Sequence, residues 1–226
     1  MVRSMGLAAL VAGVLTVTGV HGQTSAPLSG IMVVVDAGHG GDDEGVDPGS
    51  SRLNEKVLTL DLAQRLARQL QAQGARVFMT RRTDRFVSLG ARVRFTNVLL
   101  FRPDNAADQG RSISLHFNSN LLHPNLTRVE VLVDPMAPAD PFAVQLAQEL
   151  AQTTGGGFGY SDAGYPPGVH PADVAPVRWT FPRAANVLSE SAFLSNGSQA
   201  KQLRDTGWLE ALAAAHVRAL RRTLQR

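Results

Sequence analysis

Apolar positions in this chain fall into short blocks that switch between the strand and helix periods. Ile31–Val35 is an uninterrupted apolar run, the pattern of a strand buried on both faces of an α/β sheet. Leu58, Leu62, Leu66 and Leu70 then recur at i, i+4, which predicts a helix opened by Asn54 as N-cap and ended by Gly74. Arg76–Thr80 reads as a second strand. Ser88 is placed to cap a helix that carries Leu89, Val93 and Leu100 on one side and runs to about Phe101. Ser112–Phe117, Arg128–Asp134 and Val187–Ser191 predict further strands, and Pro141–Thr153 a helix. Leu203–Leu224 closes the chain as a helix with Leu209, Ala213, Val217 and Leu220 as its apolar edge. The segments Gly38–Asn54, Arg102–Gly110 and Gly155–Pro171 are rich in Gly, Pro, Asp or Ser and read as loops, the last as one wall of a groove.

Strands alternating with helices predict an α/β fold. The expected form is a single-domain three-layer sandwich, its helices covering a mixed, mostly parallel sheet of about six strands. In such sheets sites form in the crevice outside the carboxyl ends of the strands. His39 and His116 both fall at strand ends of that kind, and Glu190 lies near the end of its own strand.

The first residues alter the domain boundaries. A short basic start, Met1-Val2-Arg3, precedes an apolar, uncharged stretch from Gly6 to Val20 and then small residues. That is the layout of a secretory signal peptide over residues 1–22, with a cleavage site as late as residue 26. It predicts export to the periplasm, cell envelope or exterior, and no stable membrane span after cleavage. The folded domain is expected over residues 30–226, long enough to bury a sizeable core. No cysteine occurs, so disulfides and thiolate metal ligands are both excluded. Removing the leader lowers the formal charge from +3 to +2, too small an excess to argue for nucleic acid.

Three distant segments can supply one metal site: His39 between glycines, Glu55 at a helix start, and His116 at the end of a buried run. Two neutral imidazoles and a carboxylate are a common ligand set for catalytic zinc, with a fourth position left for water. Each has a plainer explanation alone, since Glu55 also complements a helix dipole and His116 suits a satisfied core histidine. Glu190, between Leu188 and Phe193, is costly to bury without a partner. It is either half of a buried ion pair with Arg178 or Arg183, or a general base acting on a metal-bound water. Asp36 is expected to fix an imidazole tautomer. Asn118, Arg183 and His170 are candidates for supporting or substrate contacts. The acids Asp42, Asp43, Glu44 and Asp47 lack the EF-hand spacing and read as a solvated loop. Neither a P-loop nor a G-x-S-x-G elbow is present, which disfavours an NTPase or a serine hydrolase.

Taken together, these motifs resemble the zinc-dependent N-acetylmuramoyl-L-alanine amidases of bacterial cell walls. The resemblance rests on V-V-V-D-A-G-H-G-G at Val33–Gly41, D-P-G at Asp47–Gly49 and N-E-K at Asn54–Lys56. It continues through T-R-R-T-D-R-F-V-S-L-G-A-R at Thr80–Arg92 with Asn97, S-L-H-F-N-S at Ser114–Ser119, and E-S-A-F-L-S-N at Glu190–Asn196. It implies that His39, Glu55 and His116 hold one zinc ion, that Glu190 is the catalytic carboxylate, and that the substrate is peptidoglycan. The amide cut would join N-acetylmuramic acid to the stem peptide's L-alanine. Phe117, Ser191 and Ala192 depart from the family pattern and are expected to alter pocket shape. No wall-binding repeat is apparent, so targeting falls to this domain or to a protein partner such as an activator. A zinc carboxypeptidase anchored by Arg81, Arg82 or Arg183, and a catalytically silent wall-binding domain, are the competing readings.

Overall fold

The computed structural model describes residues 26–101, 110–137, 139–159, 164–180 and 185–224. The expected leader at residues 1–22 and Arg183 lie outside them. The elements in order are β1 (Met32–Ala37), α1 (Glu55–Ala72), β2 (Arg76–Met79), α2 (Leu89–Leu100), β3 (Gly110–Asn118) and β4 (Arg128–Val133). They continue with α3 (Pro141–Thr154), β5 (Gly157–Phe158), β6 (Val169–Pro171), α4 (Ala175–Arg178), β7 (Ala185–Phe193), α5 (Gly197–Gln202) and α6 (Thr206–Leu224). The strands form one mixed sheet in the order β2-β1-β3-β7-β4-β5, with β6 also paired to β4. Neighbours are parallel except β4 and β7, which run antiparallel. Among the described residues no helix is long and apolar enough to cross a membrane.

β3 divides the sheet into its two faces. Ile113, Leu115 and Phe117 alternate with Ser112, Ser114, His116 and Asn118, and successive side chains of a strand point to opposite faces. The first set joins Val33 and Val35 of β1, Val129 and Val131 of β4, and Val187 of β7 in the main core. Helices α1, α3 and α6 close that core with Leu62, Leu66, Leu146, Leu212 and Leu220, each fully buried and worth roughly 2 kcal/mol. The opposite face starts apolar, where Met32 and Val34 pack on Leu99 and Leu100 of α2. Towards the strand ends it turns polar. There His116 pairs in register with Glu190, and Glu190 with Glu130, a row of three ionisable residues across β3, β7 and β4.

Several local expectations change. The segment Gly155–Pro171 supplies two short strands, because β4 would otherwise leave an open edge of unpaired backbone groups. The Val131 N–H accordingly donates to Gly168 O at 2.8 Å and the Gly159 N–H to Val129 O at 3.0 Å. Asn54 takes the N-cap backbone conformation of α1 but makes no side-chain cap, and its Oδ1 is buried without a partner. The buried side of α2 is Arg92, Thr96, Leu99 and Leu100, while Leu89 is exposed. Hydrophobic spacing misplaced that face because the helix is positioned by an ion pair from Arg92 rather than by apolar contact alone. Phe117, Ser191 and Ala192 are buried away from the groove, so these family departures do not form part of its lining.

Candidate functional site

The loop after β1 brings the first histidine into place. His39 has φ +60°, a left-handed conformation uncommon for non-glycine residues, and its ring lies edge-on to His116 with centroids 4.8 Å apart. Gly38 permits that approach, since a Cβ there would come within 2.3 Å of His116 Cε1. Two arginines brace the turn. Arg81, fully buried, donates to Ala37 O at 3.0 Å, Gly38 O at 2.8 Å and Lys56 O at 2.7 Å. Arg92 donates to Asp36 Oδ1, Ala37 O and His39 O, each at 2.6 Å.

Glu55 meets both imidazoles. Its Oε1 lies 3.1 Å from His39 Nε2 and 3.1 Å from His116 Nδ1. The same oxygen accepts the Phe117 N–H at 3.0 Å, and Oε2 accepts the Val46 N–H at 2.8 Å. Burial opposes ionisation of Glu55, but the hydrogen bonds and charges of His116 and His39 outweigh it and bring the pKa down to about 2. Burial likewise disfavours a charged His39, yet Glu55 and Asp43 reverse the shift and raise it.

This donor set fits a small divalent cation. His39 Nδ1 faces the Asp43 carboxylate at 2.8 Å and therefore carries the proton, which leaves the Nε2 lone pair facing Glu55 Oε1. Two acceptors at that distance require a positive charge between them, either a proton or a metal ion. Ligands about 2.0–2.2 Å from one tetrahedral ion stand about 3.3–3.6 Å apart, close to the spacing seen. One ligand atom from each of His39, Glu55 and His116 lies within 4.8 Å of the others.

Glu190 faces the same groove. Its Oε2 is buried without a hydrogen-bond partner among the described residues. Burial first, then the charges of Glu55 and Glu130, push its pKa well above the usual carboxylate range. The ion pair considered from sequence does not form with Arg178, whose guanidinium lies 3.7 Å from Asp134 and from Asp173. A groove of about 530 Å³ holds His39, Glu55, His116 and Glu190 together.

The supporting residues differ from expectation. Asp36 holds no imidazole: Thr80 Oγ1 and Arg92 occupy its Oδ1 at 2.6 Å, and Ser114 Oγ its Oδ2 at 2.7 Å. The residue on the imidazole is Asp43, assigned above to a solvated loop, because the Gly40–Asp43 turn folds that loop back on His39. Asn118 Nδ2 donates to Glu130 Oε2 at 3.0 Å, and His170 Nε2 lies 3.8 Å from the same oxygen, so both act on Glu130. Glu130 escaped the sequence reading, although the alternation Arg128, Glu130, Leu132 against Val129, Val131, Val133 marks its face. Among the described residues, Asp173, Val174, Ala175, Pro176 and Trp179 line the groove and none of Gly155–Pro171 does, because the chain returns over the sheet only after β6. His216 is a core histidine, its Nδ1 donating to Leu212 O at 2.8 Å and its Nε2 accepting from Ser189 Oγ at 3.0 Å.

Fold and site define a class: an α/β sandwich with two histidines and a glutamate gathered at the strand ends, beside a second glutamate whose Oε2 has no hydrogen-bond partner among the described residues. Within it, the sequence profile described as N-acetylmuramoyl-L-alanine amidase matches residues 33–222, and the chain belongs to that family. N-acetylmuramoyl-L-alanine amidase LytC of Bacillus subtilis (strain 168) is 29% identical over 199 residues, covering 88% of this chain and 36% of its own length. The germination-specific N-acetylmuramoyl-L-alanine amidase of the same organism is 50% identical over 60 residues, 26% of this chain and 24% of the relative. The chain thus spans well under half the length of these curated relatives. Among solved structures, N-acetylmuramoyl-L-alanine amidase AmiC2 of Nostoc punctiforme superposes with a TM-score of 0.71 at 26% identity, covering 88% of this chain and 99% of that one. The catalytic domain of CwlV from Bacillus (Paenibacillus) polymyxa var. colistinus gives 0.70 at 26% identity, covering 86% and 98%.

Proposed function

We propose that this chain is a zinc-dependent N-acetylmuramoyl-L-alanine amidase of the cell envelope that releases stem peptides from peptidoglycan. The observation that carries the proposal is the convergence in one groove of His39, Glu55 and His116 with Glu190, whose Oε2 has no partner among the described residues. A zinc ion held by His39, Glu55 and His116 would supply Lewis acidity to the scissile carbonyl and to the attacking water. Glu190 Oε2 accepts the proton of the attacking water and returns it to the nitrogen of the departing L-alanine. Glu55 stays ionised as a ligand, and Asp43 fixes the His39 tautomer that leaves Nε2 free to bind. Glu130, held by Asn118, stands in register beside Glu190.

A carboxypeptidase needs a cation to anchor the terminal carboxylate. Arg81 cannot serve, since its guanidinium is committed to backbone carbonyls, and Arg82 is exposed and does not line the groove, while Arg183, the third candidate, lies outside the described residues. Export through the leader at residues 1–22 puts the enzyme on the same side of the membrane as its polymer. Mass spectrometry of digested peptidoglycan, with and without a chelator, tests the proposal. Intact stem peptides beginning with L-alanine are expected only when metal is present; release of terminal residues alone would reject it.

A further inference from the structure

Arg81 is fully buried, yet its hydrogen bonds among the described residues all go to backbone carbonyls and one hydroxyl. A buried cation ordinarily faces a carboxylate, because its desolvation is otherwise poorly offset. Arg92, the neighbouring buried arginine, has that partner in Asp36 at 2.6 Å. A charge placed at such cost on carbonyls alone calls for a reason in what those carbonyls belong to.

The acceptors adjoin the metal-candidate cluster. A single atom, Arg81 Nη2, lies 2.8 Å from Gly38 O and 2.7 Å from Lys56 O, and these residues are the chain neighbours of His39 and Glu55. Thr59 Oγ1 donates to the same Gly38 O at 2.7 Å and lies 3.0 Å from Nη2. On its other side the Gly38 N–H donates to Leu115 O at 3.1 Å, and Leu115 precedes His116. Backbone groups next to all three donors therefore meet at one junction, centred on Gly38. Nε on Ala37 O at 3.0 Å and Nη1 on Thr83 O at 3.3 Å fix the plane of the guanidinium, which the point charge of a lysine would not do. His39 at φ +60° needs such support, since a strained backbone persists only where its surroundings over-determine it.

We infer that Arg81, assisted by Thr59, is a positioning residue for the metal centre: it sets the separation of His39 and Glu55 independently of the ion, so that the donors meet a small divalent cation already in place. This rests on the metal-dependent reading above. Charge alone gives the opposite sign. A guanidinium bound one residue away from two of the donors repels a dication, so its removal would tighten binding if electrostatics ruled and weakens it if positioning does.

The test measures Zn²⁺ affinity of the full chain by competition with a coloured chelator, and the visible spectrum of the Co²⁺-loaded chain, which reports ligand geometry. Arg81→Met keeps an unbranched stem and removes both charge and fork. Zinc affinity should fall about 10–100-fold and the cobalt bands should shift. Unchanged or tighter binding overturns the assignment. Should Arg81→Met fail to fold, Thr59→Val decides, because it deletes one hydroxyl from the junction and nearly preserves the side chain's shape. Its zinc affinity should fall about tenfold and return in Thr59→Ser; an affinity equal to that of the unmodified chain overturns the assignment. An unmodified chain that binds zinc but releases no stem peptide rejects the amidase reading alone, and the affinity series still decides the role of Arg81. An unmodified chain that binds no zinc overturns both.

Discussion

A single methyl group at Gly38 would meet the His116 ring at 2.3 Å, so Gly38→Ala must displace one of the two imidazoles. Asp43 works at the same scale, by deciding which nitrogen of His39 carries the proton. Asp43→Asn is expected to weaken metal affinity about 10–100-fold, measured by competition with a coloured chelator. Unchanged affinity would reduce Asp43 to a surface charge. Glu190→Gln removes the proposed proton acceptor and nearly preserves its shape. Turnover should fall by about 10²–10⁴ while metal content stays the same. Near-normal release of stem peptides by that variant would assign the base elsewhere.

Helix α2 is docked by a charge: Arg92 reaches from its buried side to Asp36 and to the carbonyls that shape the His39 turn. Arg92→Met strands the buried Asp36 carboxylate, and urea unfolding should show a loss of about 3–5 kcal/mol. The added change Asp36→Asn should restore part of it, and no recovery would mean the arginine acts through packing. Helix α6 carries the group most exposed to acid. Burial, joined by the charge of Arg218 and only partly offset by the hydrogen bond to Leu212 O, lowers the His216 pKa to about 4, against 6.5 unfolded. The unfolded chain therefore binds the extra proton first. Stability is full above pH 6.5 and falls, by on the order of 3 kcal/mol, as pH drops towards 4. His216→Gln should flatten the slope of thermal midpoint against pH across that window, and an identical slope would clear His216 of the role.

For the whole molecule, the cluster joins three stretches far apart in sequence, so an ion held there ties β1, α1 and β3 to one point. Chelation should lower the thermal midpoint and abolish turnover together, and zinc should restore both. At a metal concentration a hundred times Kd the linkage is worth about 2.7 kcal/mol. A midpoint indifferent to chelator would mean that the donors hold no ion in the folded chain.

Much of this architecture is legible in the residues themselves. The i, i+4 leucines of α1 and the β-branched run of β1 state their own periods, so both elements fall where expected. His39, Glu55, His116 and Glu190 stand out because each sits in a motif whose local shape, a strand end or a helix start, aims it at the same crevice. Other features stay hidden for particular reasons. Arg92 lies on a helix face that hydrophobic spacing scores as polar, and Asp43 reaches His39 only because the Gly40–Asp43 turn doubles back. Glu130 joins Glu190 only through the antiparallel pairing of β4 with β7. Sequence by itself determined the order and type of the longer elements and singled out four side chains that meet at one groove, because periodicity and strand-end position are local properties of the chain. Tertiary structure alone decided which acid braces the histidine, which carboxylate neighbours Glu190, and which wall carries Trp179, because those contacts depend on sheet register and loop return.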